Sequence, residues 1–139
     1  MFFVYYNSIN NNYCNFTDFS IKTEEVDDVQ RVEIYNNGKW GLVCSNGWDT
    51  HDATVVCQEK KLGTDGIAVQ ISYNKMETVW LSGVNCVGNE SQLSFCPHNG
   101  IGIVDNCRFA AGVNCYSKTK VLNFRVCDVN KCNLASNIF

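Results

Sequence analysis

The cysteines constrain this chain more than any other feature. Nine of its 139 residues are cysteine, a density typical of small secreted domains, in which disulfides supplement a limited hydrophobic core. A cytosolic metal site is the alternative, but such sites use closely paired Cys-x-x-Cys or Cys/His ligands. The closest cysteines here are Cys127 and Cys132, and the only histidines are His51 and His98. The sequence therefore predicts structural disulfides in an extracellular protein, either secreted or the ectodomain of a membrane protein.

Composition and charge exclude several classes of partner. The formal net charge of −3 gives no electrostatic footprint for nucleic acid or an anionic membrane. No apolar run approaches the roughly 20 residues that cross a bilayer, so we expect no direct membrane insertion. The segment Met1–Tyr6 is too short for the core of a signal peptide and has no basic flank. We therefore expect the chain to be part of a longer exported protein.

Two local patterns predict a hairpin and a helix. Alternating residues flank Asn37-Gly38, which favours a type I′ turn with Tyr35 opposite Trp40. A helix is then expected from Asp49 or Thr50, with Gly63 as its left-handed final cap.

Other segments carry weaker signals. Asp52 and Cys57 would lie in the first turn of this helix and on its apolar face. A short strand is expected around Phe16–Ile21 and an apolar strand core at Val79–Leu81.

Several consecutive blocks over about 85 residues resemble the scavenger receptor cysteine-rich (SRCR) domain. They are Arg31–Tyr35, Asn37–Cys44, Asn46–Asp49, Asp52–Cys57, Leu62-Gly63, Val79–Leu81, Val84–Cys86, Gly88–Ser91, Leu93, Cys96–His98, Asn106-Cys107 and Ala111–Val113 before Cys115. The resemblance implies an α+β fold, a small disulfide-rich domain in which a curved antiparallel β-sheet cradles one α-helix. We place this domain at residues 29–116, with an N-terminal extension at 1–28 and a C-terminal extension at 117–139.

The resemblance also implies the disulfide pairing. Carried onto the matching positions, the family pattern gives three bridges: Cys44–Cys107, Cys57–Cys115 and Cys86–Cys96. A fourth bridge found in one subgroup would need cysteines near Asp28 and at Thr64. Neither is cysteine, so the chain resembles the six-cysteine subgroup.

Three cysteines lie outside the family pattern and cannot all pair with one another. Because chain ends of a closed domain are often close together, Cys14 could bridge to Cys127 or Cys132. The rival is a bridge between Cys127 and Cys132. Either way one cysteine is left over, which predicts an intermolecular disulfide or a partner elsewhere in a longer chain.

Many SRCR domains bind a divalent cation, often calcium, through acidic residues, and calcium needs several hard oxygen ligands. The matching positions here include Ser45, Asn46 and Arg108, so we expect no metal site and binding that is independent of calcium. Asp49 and Asp52 remain acidic, and we interpret them as helix-start residues.

Catalysis finds no support in the motifs. Neither histidine belongs to a recognisable Ser or Cys nucleophile motif, so we predict no enzyme activity and no cofactor. Asn15 and Asn89 each begin an Asn-x-Ser/Thr pattern and are candidate glycosylation sites.

The resemblance implies an extracellular recognition module that binds other proteins or polyanionic and microbial surface ligands. The alternative is a structural or assembly module within a multidomain secreted adhesive protein.

Overall fold

The computed structural model describes residues 17–118 and, further on, the backbone of two strands, Arg125–Asp128 and Lys131–Leu134. Cys14 and Asn15, two residues with predicted roles, lie outside the described residues.

The described residues form eight strands, one α-helix and one 3₁₀ turn. In chain order they are β1 Ile21–Val26, β2 Val29–Asn36, β3 Lys39–Val43, α1 Thr50–Glu59, β4 Asp65–Ile71, β5 Val79–Leu81, the 3₁₀ turn Leu93–Phe95, β6 Ala110–Tyr116, β7 Arg125–Asp128 and β8 Lys131–Leu134.

Six strands form one sheet. The order is β4-β6-β2-β3-β5, and β1 pairs with β2. All pairings are antiparallel except β3 with β5, which is parallel. Because β2 pairs with β1 along its length and also with β3 and β6, the sheet curls and holds the helix in its concave side. This is the α+β fold implied by the resemblance, and its single parallel pairing is a departure from a wholly antiparallel sheet.

The β2–β3 hairpin confirms the turn prediction. Asn37 and Gly38 both have positive φ, 48° and 77°, as a type I′ turn requires. Tyr35 pairs with Trp40 across the ladder, and their rings meet edge to face with centroids 5.3 Å apart.

The strand expected around Phe16–Ile21 is wrong, because β1 begins only at Ile21. Phe19 has a left-handed φ of 67°, which an extended strand does not accommodate. Residues 17–20 instead form a turn, in which the Ser20 N–H donates to the Thr17 carbonyl. From Ile21 the chain pairs with β2, and Ile21 lies opposite Ile34 in the core.

The start of helix α1 confirms the predicted cap, but its end does not. Asp49 is the N-cap residue. At the other end the left-handed residue is Lys61, with φ of 56°, not Gly63. The Leu62 N–H donates to Cys57 and the Lys61 N–H to Gln58, which is the Schellman arrangement.

Gly63 is required for close packing against β6 and is not the helix cap. A Cβ at this position would lie 2.6 Å from the Tyr116 carbonyl oxygen, so only glycine lets β6 pass the end of the helix. The helix buries Ala53, Val56 and Cys57 completely, as the predicted apolar face requires.

The core lies between the helix and the concave face of the sheet. Its fully buried side chains include Val32, Ile34, Val55, Leu81 and Leu93. Each such aliphatic side chain contributes about 1.5–3 kcal/mol of burial free energy. This core positions the loops at the two ends of the sheet.

Candidate binding surface

Three disulfides hold the loops of the domain. They join Cys44 to Cys107, Cys57 to Cys115 and Cys86 to Cys96, with Cα separations of 5.7, 5.6 and 4.7 Å. These are the pairs that the resemblance implies. The first ties the end of β3 to the loop before β6, the second ties the helix to β6, and the third closes a small loop.

The Cys44–Cys107 bridge lies where three loops meet, and we call residues 45–47, 73–77 and 105–109 the loop end. The Ser45 N–H donates to the Phe109 carbonyl at 2.9 Å. The Asn46 side-chain amide donates to the Asp105 carbonyl at 3.3 Å. Backbone and side-chain bonds therefore join the first and last of these loops beside the disulfide.

The middle loop contributes two side chains that clamp the segment around Cys107. The Tyr73 hydroxyl donates to the Cys107 carbonyl at 2.8 Å. The Lys75 ammonium donates to the carbonyls of Cys107 and Arg108, at 3.0 and 2.8 Å, and lies 3.9 Å from the centre of the Tyr73 ring. The backbone that carries Arg108 is thus held by a disulfide and three hydrogen bonds.

The three residues that the resemblance matched to cation positions all belong to this loop end, and none of them is a carboxylate. Ser45 is buried, whereas Asn46 and Arg108 are exposed. Arg108 enters none of the ion pairs found within residues 17–118. The loop end therefore presents the guanidinium group of Arg108 to solvent.

Within the described part of the chain, one group of possible metal ligands has its ligand atoms within 4.8 Å of one another. It consists of Cys86, Glu90 and Cys96. Two of its members are joined to each other as a disulfide, so they have no thiolate to offer a metal. Glu90 accepts from the N–H groups of Val87 and Gly88 at 2.7 and 2.8 Å, which gives this carboxylate a structural role.

Asp49 and Asp52 form a capping box at the start of the helix. The Asp49 carboxylate accepts from the N–H of His51 at 2.8 Å and of Asp52 at 3.3 Å, and Asp52 accepts from the Asp49 N–H at 2.8 Å. Asp52 also accepts from the Cys86 N–H at 2.7 Å. Their interpretation as helix-start residues is confirmed.

Burial gives Asp52 an unusual titration. Loss of hydration raises the pKa of its carboxyl to about 6, against the opposing effect of the Cys86 and Asp49 N–H donors. The side chain is fully buried and its oxygens accept from backbone N–H groups, so we assign the shift to structure and not to a reactive role.

The two histidines make local contacts at the helix start and in the loop after Cys96. His98 uses its Nδ1 atom to accept from the Gly100 N–H at 2.9 Å. His51 is exposed on the first turn of the helix. Asn89, the described glycosylation candidate, is exposed in the loop closed by Cys86–Cys96.

Sequence reasoning missed Tyr73 and Lys75. Both side chains donate hydrogen bonds to a carbonyl group more than 30 positions away in the chain. No local sequence pattern predicts such a long-range contact. It also missed the exposure of Val87 and Phe95, which are 72% and 60% exposed beside the Cys86–Cys96 bridge.

These features define a small disulfide-stapled domain of the extracellular recognition type, with a curled sheet, one helix and rigid loops. The scavenger receptor cysteine-rich domain family model matches residues 25–116, which is more than half of the chain. The chain belongs to this family. SRCR domains are non-catalytic recognition modules of extracellular proteins or ectodomains.

Known relatives are longer proteins that contain a similar segment. Human lysyl oxidase homolog 2 is 40% identical over 94 residues, which is 63% of this chain and 12% of that protein. An SRCR superfamily protein of Patiria pectinifera is 36% identical over 96 residues, covering 66% of this chain and 8% of the relative. The chain thus corresponds to a small part of each relative.

Solved structures show the same fold. The SRCR domain of mouse MARCO, in its dimeric form, has a TM-score of 0.55 and 38% identity, covering 61% of this chain and 83% of that one. The third SRCR domain of murine neurotrypsin has a TM-score of 0.55 and 31% identity, covering 69% and 96%. Among the described residues, no helix combines the length and apolar character needed to cross a membrane.

Proposed function

We propose that this chain is an extracellular ligand-recognition module, that its binding surface is the loop end, and that it binds acidic protein surfaces or polyanions without calcium. The observation that carries this proposal is that Arg108 has an exposed side chain on a rigidly held backbone. Its backbone is fixed by the Cys44–Cys107 bridge and by Lys75 and Tyr73. Its side chain is exposed and takes part in no ion pair within residues 17–118.

The charges at the loop end are mixed, and Arg108 is the exposed cation that could meet an anionic ligand. The loop end carries Lys75 and Arg108 as cations and Glu77 and Asp105 as acids, and Glu77 is paired with Arg31 at 3.0 Å. A guanidinium group can bind a carboxylate or sulfate through two parallel hydrogen bonds. A rigid loop also loses little conformational entropy when it binds.

For the same domain we propose neither catalytic activity nor a cofactor. Calcium binding would need several oxygen ligands supplied mainly by carboxylates. At the positions where the family places them, this chain has Ser45, Asn46 and Arg108. Positive charge there repels a cation and attracts an anion.

Binding to immobilised dextran sulfate in EDTA tests the proposal, with uncharged dextran as the reference surface. We expect Arg108→Ala to weaken binding about threefold to tenfold, since one exposed charge-assisted contact is lost. Lys39→Ala, at the exposed β2–β3 turn, is the matched control and should bind as the parent does. Equal binding to both polymers, or an unchanged Arg108→Ala variant, would overturn the polyanion proposal.

The alternative is assembly within a larger adhesive protein. The exposed Val87 and Phe95 side chains favour a protein contact beside the Cys86–Cys96 loop. Sedimentation of the parent chain and of Phe95→Ser separates the two. Self-association that is lost in Phe95→Ser, without dextran sulfate binding, would favour assembly.

A further inference from the structure

The C-terminal hairpin places two cysteines at opposed positions of its ladder. Strands β7 and β8 form a two-stranded antiparallel sheet of their own. Their register places Cys127 directly opposite Cys132, between the pairs Val126–Asn133 and Asp128–Lys131. Residues opposite each other in an antiparallel ladder share one side of it.

We propose that Cys127 and Cys132 form a fourth disulfide across this hairpin. Opposed residues in antiparallel strands have Cα atoms about 4.5 or about 5.5 Å apart, depending on the type of pair. A disulfide needs a Cα separation of about 4.4–6.8 Å, so either type accommodates it. The three bridges within residues 17–118 have separations of 4.7, 5.6 and 5.7 Å, which span the same range.

A cross-strand disulfide would also stabilise this short hairpin. Each strand has four residues, and an isolated two-stranded hairpin is marginal in water. Neither strand pairs with the six-stranded sheet in the described part of the chain. A cross-strand disulfide fixes the register and removes open conformations from the unfolded ensemble.

Thiol–disulfide exchange favours this local pair over a bridge from Cys14. In a Cys14–Cys127 bridge, Cys132 would remain the residue opposite Cys127 in the ladder, and its thiolate could attack the bonded Cys127 sulfur. Its attack forms the Cys127–Cys132 bond and breaks the Cys14–Cys127 bond, and the electron pair leaves on the Cys14 sulfur. The forward attack joins two residues that are already opposed in the ladder, whereas the reverse attack must close a loop of more than 100 residues.

The initial oxidation uses the chemistry that forms the other bridges. Two thiols lose two protons and pass two electrons to a disulfide oxidant of the secretory compartment, which is reduced to two thiols. Eight of the nine cysteines are then paired. Cys14 is left as the residue that can form a disulfide with a second copy, another protein or a small thiol.

Tryptic mapping of the full 139-residue chain tests the pairing. The unreduced protein is first alkylated with N-ethylmaleimide, which blocks exchange. Cleavage after Arg125 and Lys131 separates the two cysteines into peptides 126–131 and 132–139, and Cys14 lies in peptide 1–22. We expect 126–131 and 132–139 to be recovered as one disulfide-linked species.

Peptide 1–22 should carry the maleimide or a mixed disulfide, and a Cys14→Ser variant should have no alkylated thiol. A link from 1–22 to either C-terminal peptide would overturn the proposal. So would recovery of Cys127 and Cys132 both alkylated, or a link from either to one of the six core cysteines.

Discussion

The carboxylate of Asp52 accepts a hydrogen bond from the backbone N–H of Cys86, with 2.7 Å between oxygen and nitrogen. The bond joins the first turn of the helix to the loop closed by Cys86–Cys96. The same carboxylate accepts from the Asp49 N–H, so one buried side chain fixes both the helix start and the loop.

Replacing Asp52 should therefore be costly. We expect Asp52→Ala to lower the free energy of unfolding by about 2–4 kcal/mol, because two backbone N–H groups lose their acceptor. Urea denaturation measures the change. Asp105→Ala, at an exposed acid, is the matched control and should change stability by less than about 0.5 kcal/mol. Equal small effects in both variants would contradict the assignment.

The raised pKa of Asp52 predicts a particular dependence on pH. Its carboxyl titrates at about 6 in the folded protein against a usual value of 3.8, so the folded state binds more protons between these values. The contribution to stability is complete below about pH 4 and is lost as the pH rises through 6, on the order of 3 kcal/mol.

Asp52→Asn isolates this titration from those of other acids. The stability of the parent relative to Asp52→Asn should fall between pH 4 and pH 7 in denaturation experiments. A difference that stays constant would show that folding leaves the pKa of this carboxyl unchanged, and one that rises with pH would show that folding lowers it; either result contradicts the prediction.

An ion cluster on the convex face of the sheet gives another prediction. Arg31 bonds Glu33 at 2.6 Å and Glu24 at 2.8 Å, and Lys22 bonds Glu33 at 3.1 Å. Glu33 is only 5% exposed. Burial alone would raise its pKa, but the hydrogen bonds from Arg31 and Lys22 outweigh burial and hold the pKa below its usual range.

Removing Arg31 should leave Glu33 partly uncompensated. We expect Arg31→Met to lower the free energy of unfolding by about 2–4 kcal/mol, and Arg31→Met/Glu33→Leu to recover most of the loss. Glu24→Gln, which alters an exposed partner, should cost less than about 1 kcal/mol. The interpretation fails if the double variant is no more stable than Arg31→Met in chemical denaturation.

The disulfides should differ in their contribution to stability. Cys44–Cys107 spans 63 positions and Cys86–Cys96 spans 10. The chain-entropy relation gives about 4 kcal/mol for the longer loop and about 2.7 kcal/mol for the shorter. Guanidinium denaturation of the two double-alanine variants should show this order, and the reverse order would contradict it.

Local signals made part of the fold predictable. Asn37-Gly38 encodes its own turn, and Asp49 encodes the helix start, because both depend on neighbouring residues. The end of the helix was mispredicted since Gly63 is needed for the passage of Tyr116, a contact between distant segments. The start of β1 was mispredicted because the left-handed φ of Phe19 is set by its pairing with the distant Tyr35, whose carbonyl accepts from the Phe19 N–H.

The binding surface, too, was predictable only in part, because some of its contacts join distant segments. Ser45, Asn46 and Arg108 could be placed at one site from the resemblance, and the structure brings their segments together around Cys44–Cys107. The clamp formed by Tyr73 and Lys75 could not be predicted. It depends on carbonyl groups that only the folded chain brings within reach.

The calcium dependence of dextran sulfate binding tests the central claim most directly. We expect the parent chain to bind with equal affinity in EDTA and in millimolar calcium, with an unchanged melting temperature, and Arg108→Glu to lose binding in both. Binding that requires calcium, together with a melting temperature that rises with calcium and not with magnesium, would contradict the account.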